Sequence, residues 1–300
     1  MNDIMANVSD QVKLPVFFDK RCIEYSAPGH PERPQRIIGT QTLLESQTDV
    51  PLEWISPEEI TDERIRLAHT DEHLRNLTTA TEDFDADTPA YEGIERHARR
   101  SAGAALGAME KALEVGKAFS LMRPPGHHAT PGRAMGFCYL SNIAIAALEA
   151  RSRGIGKIAI LDFDVHHGNG TEDVIKDCAN IVFASIHQSP CYPGTGLEDA
   201  GSNCFNYPVR PHTNPAEYLG VIRKAMDRLK SHKPDMLLVS AGFDAYKGDP
   251  IAQELLDVDD FHKIGRDVRN FDIPTAAILE GGYSDDLPRL VHAFLKGWAT

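Results

Sequence analysis

The feature that most constrains this chain is the repeated alternation of short, continuously apolar runs with amphipathic segments, kept up over 300 residues without a break. The runs at 13–18, 118–122, 157–161, 181–186, 235–240 and 275–279 are bounded by Gly, Pro or Asp. Such runs read as strands covered on both faces, because a half-exposed strand would alternate polar with apolar residues. Between them lie helical patterns. Ser141–Asn142 opens a helix over 143–153 that Gly154 closes, Pro215 opens another running to about 229, and 93–116 is a long Ala-rich helix. Strand–helix alternation in one uninterrupted chain predicts an α/β fold: a single domain over 1–300, with an open, mostly parallel sheet and helices on both faces. Residues 20–36, rich in Pro, and the acidic 78–91 read as loops, and long loops in compact domains are frequent binding edges.

Composition narrows the functional classes. Asp and Glu total 44 against 31 Lys and Arg, a formal net charge of −13 with no basic run. A phosphate backbone needs clustered cations, so nucleic acid is not an expected partner. No window approaches 18 apolar residues, which excludes a membrane-spanning helix. The first residues, MNDIMANVSDQVK, carry acidic groups and no apolar stretch, unlike a secretory signal. The five cysteines are scattered without C-x-x-C spacing, which predicts a reducing cytoplasm over a disulfide framework.

In parallel α/β sheets ligands bind beyond the carboxyl ends of the strands, and here those ends carry the polar clusters. The run 157–161 leads into Asp162, Asp164 and His166. On an extended chain these three share one side, with Phe163 and Val165 on the other. Two carboxylates and an imidazole on one side invite a divalent cation, whereas a single D-x-H is more often a hydrogen-bonded strand end. The run 235–240 delivers Asp244 as a third ligand, which alone would read as a turn residue or cap. Three protein ligands with an open position suit a catalytic metal site better than a closed structural one. The run 118–122 ends in Arg123-Pro-Pro-Gly-His127-His128, whose prolines hold tandem histidines in place for proton transfer. The run 275–279 leads into Glu280-Gly281-Gly282-Tyr283, where a tyrosine hydroxyl is placed to donate to a developing oxyanion.

Together HPERPQR (30–36), RPPGHH (123–128), GFCYLSN (136–142), LDFDVHHGNGTE (161–172), SIHQSPCYPGTG (185–196), SAGFDAYKGDP (240–250) and EGGY (280–283) resemble the histone deacetylase family of the arginase/deacetylase fold. The resemblance runs from about residue 15 to the end, and Asn169, Phe243 and Glu280 make it more similar to the class II branch. It implies zinc, with ferrous iron as an alternative, on Asp164, His166 and Asp244. It implies His128 as general base and acid, His127 as its electrostatic partner oriented by Asp162, and Tyr283 as oxyanion stabiliser. It further implies a tunnel walled by Phe137 and Tyr192 with Gly136, Gly281 and Gly282 beside it, and a rim carboxylate at Asp87. A structural potassium would lie on Asp162, Ser185 and the carbonyls of Asp164, His166 and Ile186.

The substrate implied is an acetylated lysine in a protein or peptide, or alternatively an acetylated polyamine or other small amine. Ile251 stands where the polyamine-selective branch has a glutamate, which argues against a polyamine, while the acidic charge argues mildly for one. Asn169 replaces the aspartate of class I members behind His128, and a lower His128 pKa follows. Asn203 replaces a tyrosine at a second potassium site, which is therefore not carried over. A binuclear manganese enzyme of the same fold would need a further carboxylate where Tyr246 sits. A silent acyl-lysine binding module would have lost a ligand, a histidine or the tyrosine, and this chain keeps them all.

Overall fold

The run at 157–161 forms a strand, Ile158–Asp162, in which every side chain is buried. In a strand alternate residues face opposite sides, so burial of all of them means that both faces of the sheet are covered. The computed structural model describes residues 13–300, and the reading of the N-terminus as no secretory signal falls almost wholly on 1–12, outside the described residues. Among the described residues eight strands occur: β1 (Leu14–Phe17), β2 (Leu52–Ile55), β3 (Lys117–Ser120), β4 (Ile158–Asp162), β5 (Ile181–Gln188), β6 (Cys204–Val209), β7 (Met236–Ala241) and β8 (Thr275–Leu279). They make one sheet in the order β2-β1-β3-β8-β7-β4-β5-β6. Every pairing is parallel, so the expected mostly parallel sheet is wholly so.

The helices are α1 (Gln35–Ser46), α2 (Asp62–Ile65), α3 (Asp71–Thr79), α4 (Ile94–Val115), α5 (Asn142–Ser152), α6 (Asn169–Ile175), α7 (Pro215–Ser231), α8 (Val258–Arg269) and α9 (Leu287–Ala299). One layer centres on α4, which packs on β1, β3, β8 and α5. Its buried stripe is rich in alanine, with Ser101 and Gly103 among the rest, and these small residues let the helix lie close to the sheet. The second layer runs α1–α9–α8–α7, with α7 on β5. Local signals fix the helix starts. Asn214 accepts from the Ala216 N–H at 3.0 Å ahead of Pro215, and Asp257 with Asp260 forms a capping box for α8, each worth about 1 kcal/mol.

Six strands fall where the apolar runs place them, within a residue or two. β2 and β6, the two edge strands, were not anticipated. β6 contains Pro208 and Asn206, and β2 has no fully buried residue, so neither presents the continuous apolar run of an inner strand. The loop 20–36 contains a single-turn helix at Lys20–Ile23 and ends in the first residues of α1.

The strands that carry the polar clusters, β3, β8, β7 and β4, are consecutive in the sheet. Parallel pairing puts their carboxyl ends along one edge, with Asp162 opposite Ser240 and Ala241 opposite Leu279. Residues up to 160 positions apart in sequence therefore meet over a width of four strands.

Candidate metal and acid–base centre

β4 stops at Asp162, and residues 163–166 leave it in a bend. This differs from the extended reading in which Asp162, Asp164 and His166 share a strand face. The Asp164 N–H donates to Asp162 Oδ1 at 3.1 Å, and the His166 N–H to Asp164 Oδ1 at 2.9 Å. Aspartate side chains that capture the backbone two residues on turn the chain at each step. The bend separates two tasks: Asp162 faces His127, while Asp164 and His166 converge on Asp244.

His166 Nδ1 lies 3.1 Å from Asp164 Oδ1 and 3.1 Å from Asp244 Oδ2. Both carboxylates are wholly buried and His166 nearly so. Each carboxylate is anchored through an oxygen by backbone: Asp244 Oδ1 accepts from the Val165 N–H at 2.8 Å and Asp164 Oδ2 from the Gly281 N–H at 2.8 Å. Ligand atoms about 2.1 Å from one tetrahedral centre sit about 3.4 Å apart, so this donor set has the spacing of a divalent-metal site. Two carboxylates with one imidazole suit zinc or ferrous iron. The electrostatics of Asp244 point the same way, since burial and the neighbouring Asp164 charge push it up while hydrogen bonds from His166 relieve it. A cation at this point would neutralise the same charge.

The tandem histidines have opposite environments. His127 Nδ1 lies 3.1 Å from Asp162 Oδ2, and its Nε2 lies 3.7 Å from Asp164 Oδ1. Burial works against its charge, but the Asp164 and Asp162 carboxylates overcome it and hold the ring up at about 10. His128 is pushed well below its ordinary value, first by burial and then by the charges on His127 and His166. Its Nδ1–H donates to Asn169 Oδ1 at 2.7 Å, which leaves Nε2 with the free lone pair. That bond raises the pKa, so the low value comes from burial and the flanking rings, whatever the amide lacks relative to a carboxylate. Environments that drive two adjacent groups apart are how one site keeps a charged and a neutral imidazole together.

Tyr283 is buried, and burial holds its phenol well above the usual range, so the hydroxyl stays a donor. The Arg36 guanidinium lies 4.7 Å from its ring centroid and donates to the Gly282 carbonyl at 2.6 Å. Asp249 accepts from the Tyr283 N–H at 2.7 Å and from the Ile251 N–H at 3.0 Å. Gly281 has no room for a side chain, because a Cβ would stand 2.2 Å from Asp244 Oδ2.

Gly136 and Phe137 are both left-handed, with φ +56° and +67°. A Cβ on Gly136 would lie 2.5 Å from the His128 ring. Phe137 packs edge-on against Tyr283 at 5.6 Å, and Tyr192 against His128 at 5.1 Å. The two aromatic residues thus flank the reactive groups. The Asp87 carbonyl lies 3.0 Å from His30 Nε2. Burial and then Asp85 raise the Asp87 carboxyl to about 6. His30 lines a surface cleft with Arg33, Pro250, Ile251 and Tyr283. Ser185 faces Asp162 across the β4–β5 pairing, with Ile186 next along β5.

Sequence reasoning assigned no role to Asp249, Arg36 or Glu280, although all three lie in quoted motifs. Each has a backbone partner distant in sequence, which no spacing pattern reveals. His127, Cys138 and Glu280 also bring donor atoms together, but His127 is engaged by Asp162 and Glu280 by backbone N–H groups, so this group reads as packing.

The fold and the site together define a parallel α/β protein with a metal-capable acid–base centre. The sequence model of the histone deacetylase domain matches residues 30–298, and the chain belongs to the histone deacetylase family, a family of deacetylases and amidohydrolases. It is 37% identical over 284 residues to a "Probable deacetylase" of Methanothermobacter thermautotrophicus, covering 90% of this chain and 86% of that one. It is 39% identical over 213 residues to "Acetylpolyamine amidohydrolase 2" of Pseudomonas aeruginosa, covering 67% and 61%. The crystal structure of the HDA15 HD domain superposes with a TM-score of 0.89 at 31% identity, covering 95% of this chain and 88% of that one. No helix among the described residues is long and apolar enough to cross a membrane.

Proposed function

We propose that the protein is a zinc-dependent amide hydrolase that removes the acetyl, or another acyl, group from the Nε-amine of lysine side chains. The observation that carries this reading is the convergence of Asp164, His166 and Asp244 beside a histidine pair of which one ring faces the Asp162 carboxylate and the other the Asn169 amide. Zinc, or ferrous iron in its place, would be held by Asp164, His166 and Asp244 and would supply Lewis-acid polarisation of the acyl carbonyl and acidification of a water. His128, neutral and with Nε2 free, takes the proton from the attacking water and returns it to the leaving amine. His127, held cationic between Asp162 and Asp164, keeps His128 neutral beforehand and stabilises negative charge as it develops. Tyr283 donates its hydroxyl to the carbonyl oxygen. Phe137 and Tyr192 sandwich the aliphatic stem, with Gly136, Gly281 and Gly282 allowing close approach, and Asp87 holds the substrate backbone at the rim. The facing Asp162 and Ser185, with carbonyls of Asp164, His166 and Ile186, are proposed to bind a structural potassium. The scattered free cysteines fit a reducing cytoplasm.

A second reading, hydrolysis of acetylated polyamines or other small amines, is favoured by the acetylpolyamine amidohydrolase relative and the net charge of −13. Ile251, apolar and on the cleft beside Tyr283, argues against it. The test is amine release from an acetyl-lysine peptide and from acetylspermidine in parallel, with and without chelator. Faster chelator-sensitive release from the peptide is expected. Preference for acetylspermidine reverses the order of the two readings, and chelator-insensitive release refutes the metal.

A further inference from the structure

Behind the histidine pair lies a carboxylate to which the reaction so far assigns nothing. Glu280 follows β8 directly, and it is wholly buried. Its Oε2 accepts from the Gly126 N–H at 2.6 Å and the His127 N–H at 3.1 Å, while Oε1 lies 3.3 Å from the Ser240 hydroxyl. One side chain thus joins the segment after β3 to the end of β7, across β8, which separates those strands. The segment it holds has no helix or strand of its own between Leu121 and Ala129. Further bonds near His127 and His128 engage their rings, or their carbonyls through the Gly170 and Thr171 N–H groups and, at 3.5 Å, the Asn169 amide.

We propose that Glu280 is a positioning residue that sets the backbone of the tandem histidines against the sheet edge, and that it acts through the reach of its side chain and not through its charge. The inference rests on the proposed role of His128 in proton transfer. Two backbone donors on one oxygen need an acceptor at that point, and they do not need an anion. A glutamine can present its carbonyl oxygen to both N–H groups. Its NH₂ then faces Ser240, whose hydroxyl rotates to accept. An aspartate keeps the charge but withdraws it by one methylene, about 1.5 Å, leaving two buried N–H groups without an acceptor.

The experiment is steady-state kinetics of metal-loaded wild type, Glu280→Gln and Glu280→Asp on the acetyl-lysine peptide, with metal content and melting temperature recorded for each. Wild-type turnover comes first: its absence on both the acetyl-lysine peptide and acetylspermidine refutes the deacetylase reading, whatever the variants do. Given turnover, Glu280→Gln is expected to keep kcat within about threefold, and Glu280→Asp to lose about 10²-fold in kcat with KM nearly unchanged, the scale of a misplacement near 1 Å. A structural role alone would lower melting temperature without separating kcat from KM. The reverse order, with aspartate active and glutamine inactive, overturns the proposal in favour of charge. Equal activity in all three, or equal loss in both variants, overturns it as well.

Discussion

Replacing Gly281 by alanine tests the metal centre with a single methyl group. The φ of Gly281 lies outside the left-handed region, so alanine fits the backbone and carries a small entropic gain, about 0.4–1 kcal/mol. The perturbation is therefore confined to the site. The new Cβ would stand 2.2 Å from Asp244 Oδ2 and 2.5 Å from Asp164 Oδ2. A real Cβ essentially never approaches closer than 3.0 Å, so the Asp244 carboxylate must retreat by about 1 Å in a close-packed interior. Neither acid has slack to give, because both are fully buried and tied by 2.8 Å backbone bonds. Displacing a ligand by that much costs about 10²-fold in kcat/KM, about 2.7 kcal/mol, with metal affinity falling about 10–100-fold. The assay is zinc titration against a competing chelator, amide cleavage at saturating metal, and thermal melting. The expected result is weakened binding and turnover, with the metal-free protein melting lower because overpacking of about 1–3 kcal/mol outweighs the entropic gain. Unchanged affinity and turnover would refute the assignment of Asp164 and Asp244 as joint ligands.

Three further outcomes are expected. Burial raises Glu254 to about 7, with only the Thr213 N–H at 3.2 Å opposing it; its folded pKa exceeds the unfolded value near 4.5, so its stabilising contribution is present below that value and lost as pH rises through 7. Glu254→Gln should therefore melt higher than wild type near pH 8, by roughly 1–3 kcal/mol of stability, and lose that margin near pH 4.5; a margin independent of pH sinks the assignment. Asn169→Asp places a carboxylate on His128 Nδ1, where the amide sits at 2.7 Å, and should move the acidic limb of the pH–kcat profile up by about one unit, whereas an unmoved limb removes His128 as the titrating base. Ile251→Glu puts an anion on the cleft shared with Tyr283 and should raise the acetylspermidine-to-peptide ratio of kcat/KM by about tenfold, one charge pair's worth; an unchanged ratio means that Ile251 does not face the distal amine.

The inner strands were legible because burial on both faces leaves no room for polar residues, so β3, β4, β7 and β8 read as plain apolar runs. The edge strands obey a weaker constraint. Pro208 is tolerated in β6 because an edge strand has a free side that needs no donor, and that tolerance erased the signal. Within the site, Asp164, His166 and Asp244 were found because they follow strand ends. The bend after Asp162 was not foreseen, since the Asx turns that create it depend on side-chain bonds within D-x-D-x-H. Asp249, Arg36 and Glu280 stayed hidden for a related reason: besides any local partner, each serves a backbone group tens to hundreds of residues away, and backbone leaves no mark in a sequence.

The place of β8 in the sheet has a consequence for how the protein is made. It is the last strand in chain order, yet it lies between β3 and β7 and pairs with both. Until residues 275–279 leave the ribosome, the earlier strands can form only two separate sheets, β2-β1-β3 and β7-β4-β5-β6, each with an unpaired inner edge of the kind that recruits other chains. The emergence of that one five-residue segment closes the seam. It brings the tandem histidines after β3 to Asp162, Asp164 and Asp244 after β4 and β7 in the same event, so the two halves of the centre meet only once β8 has been made.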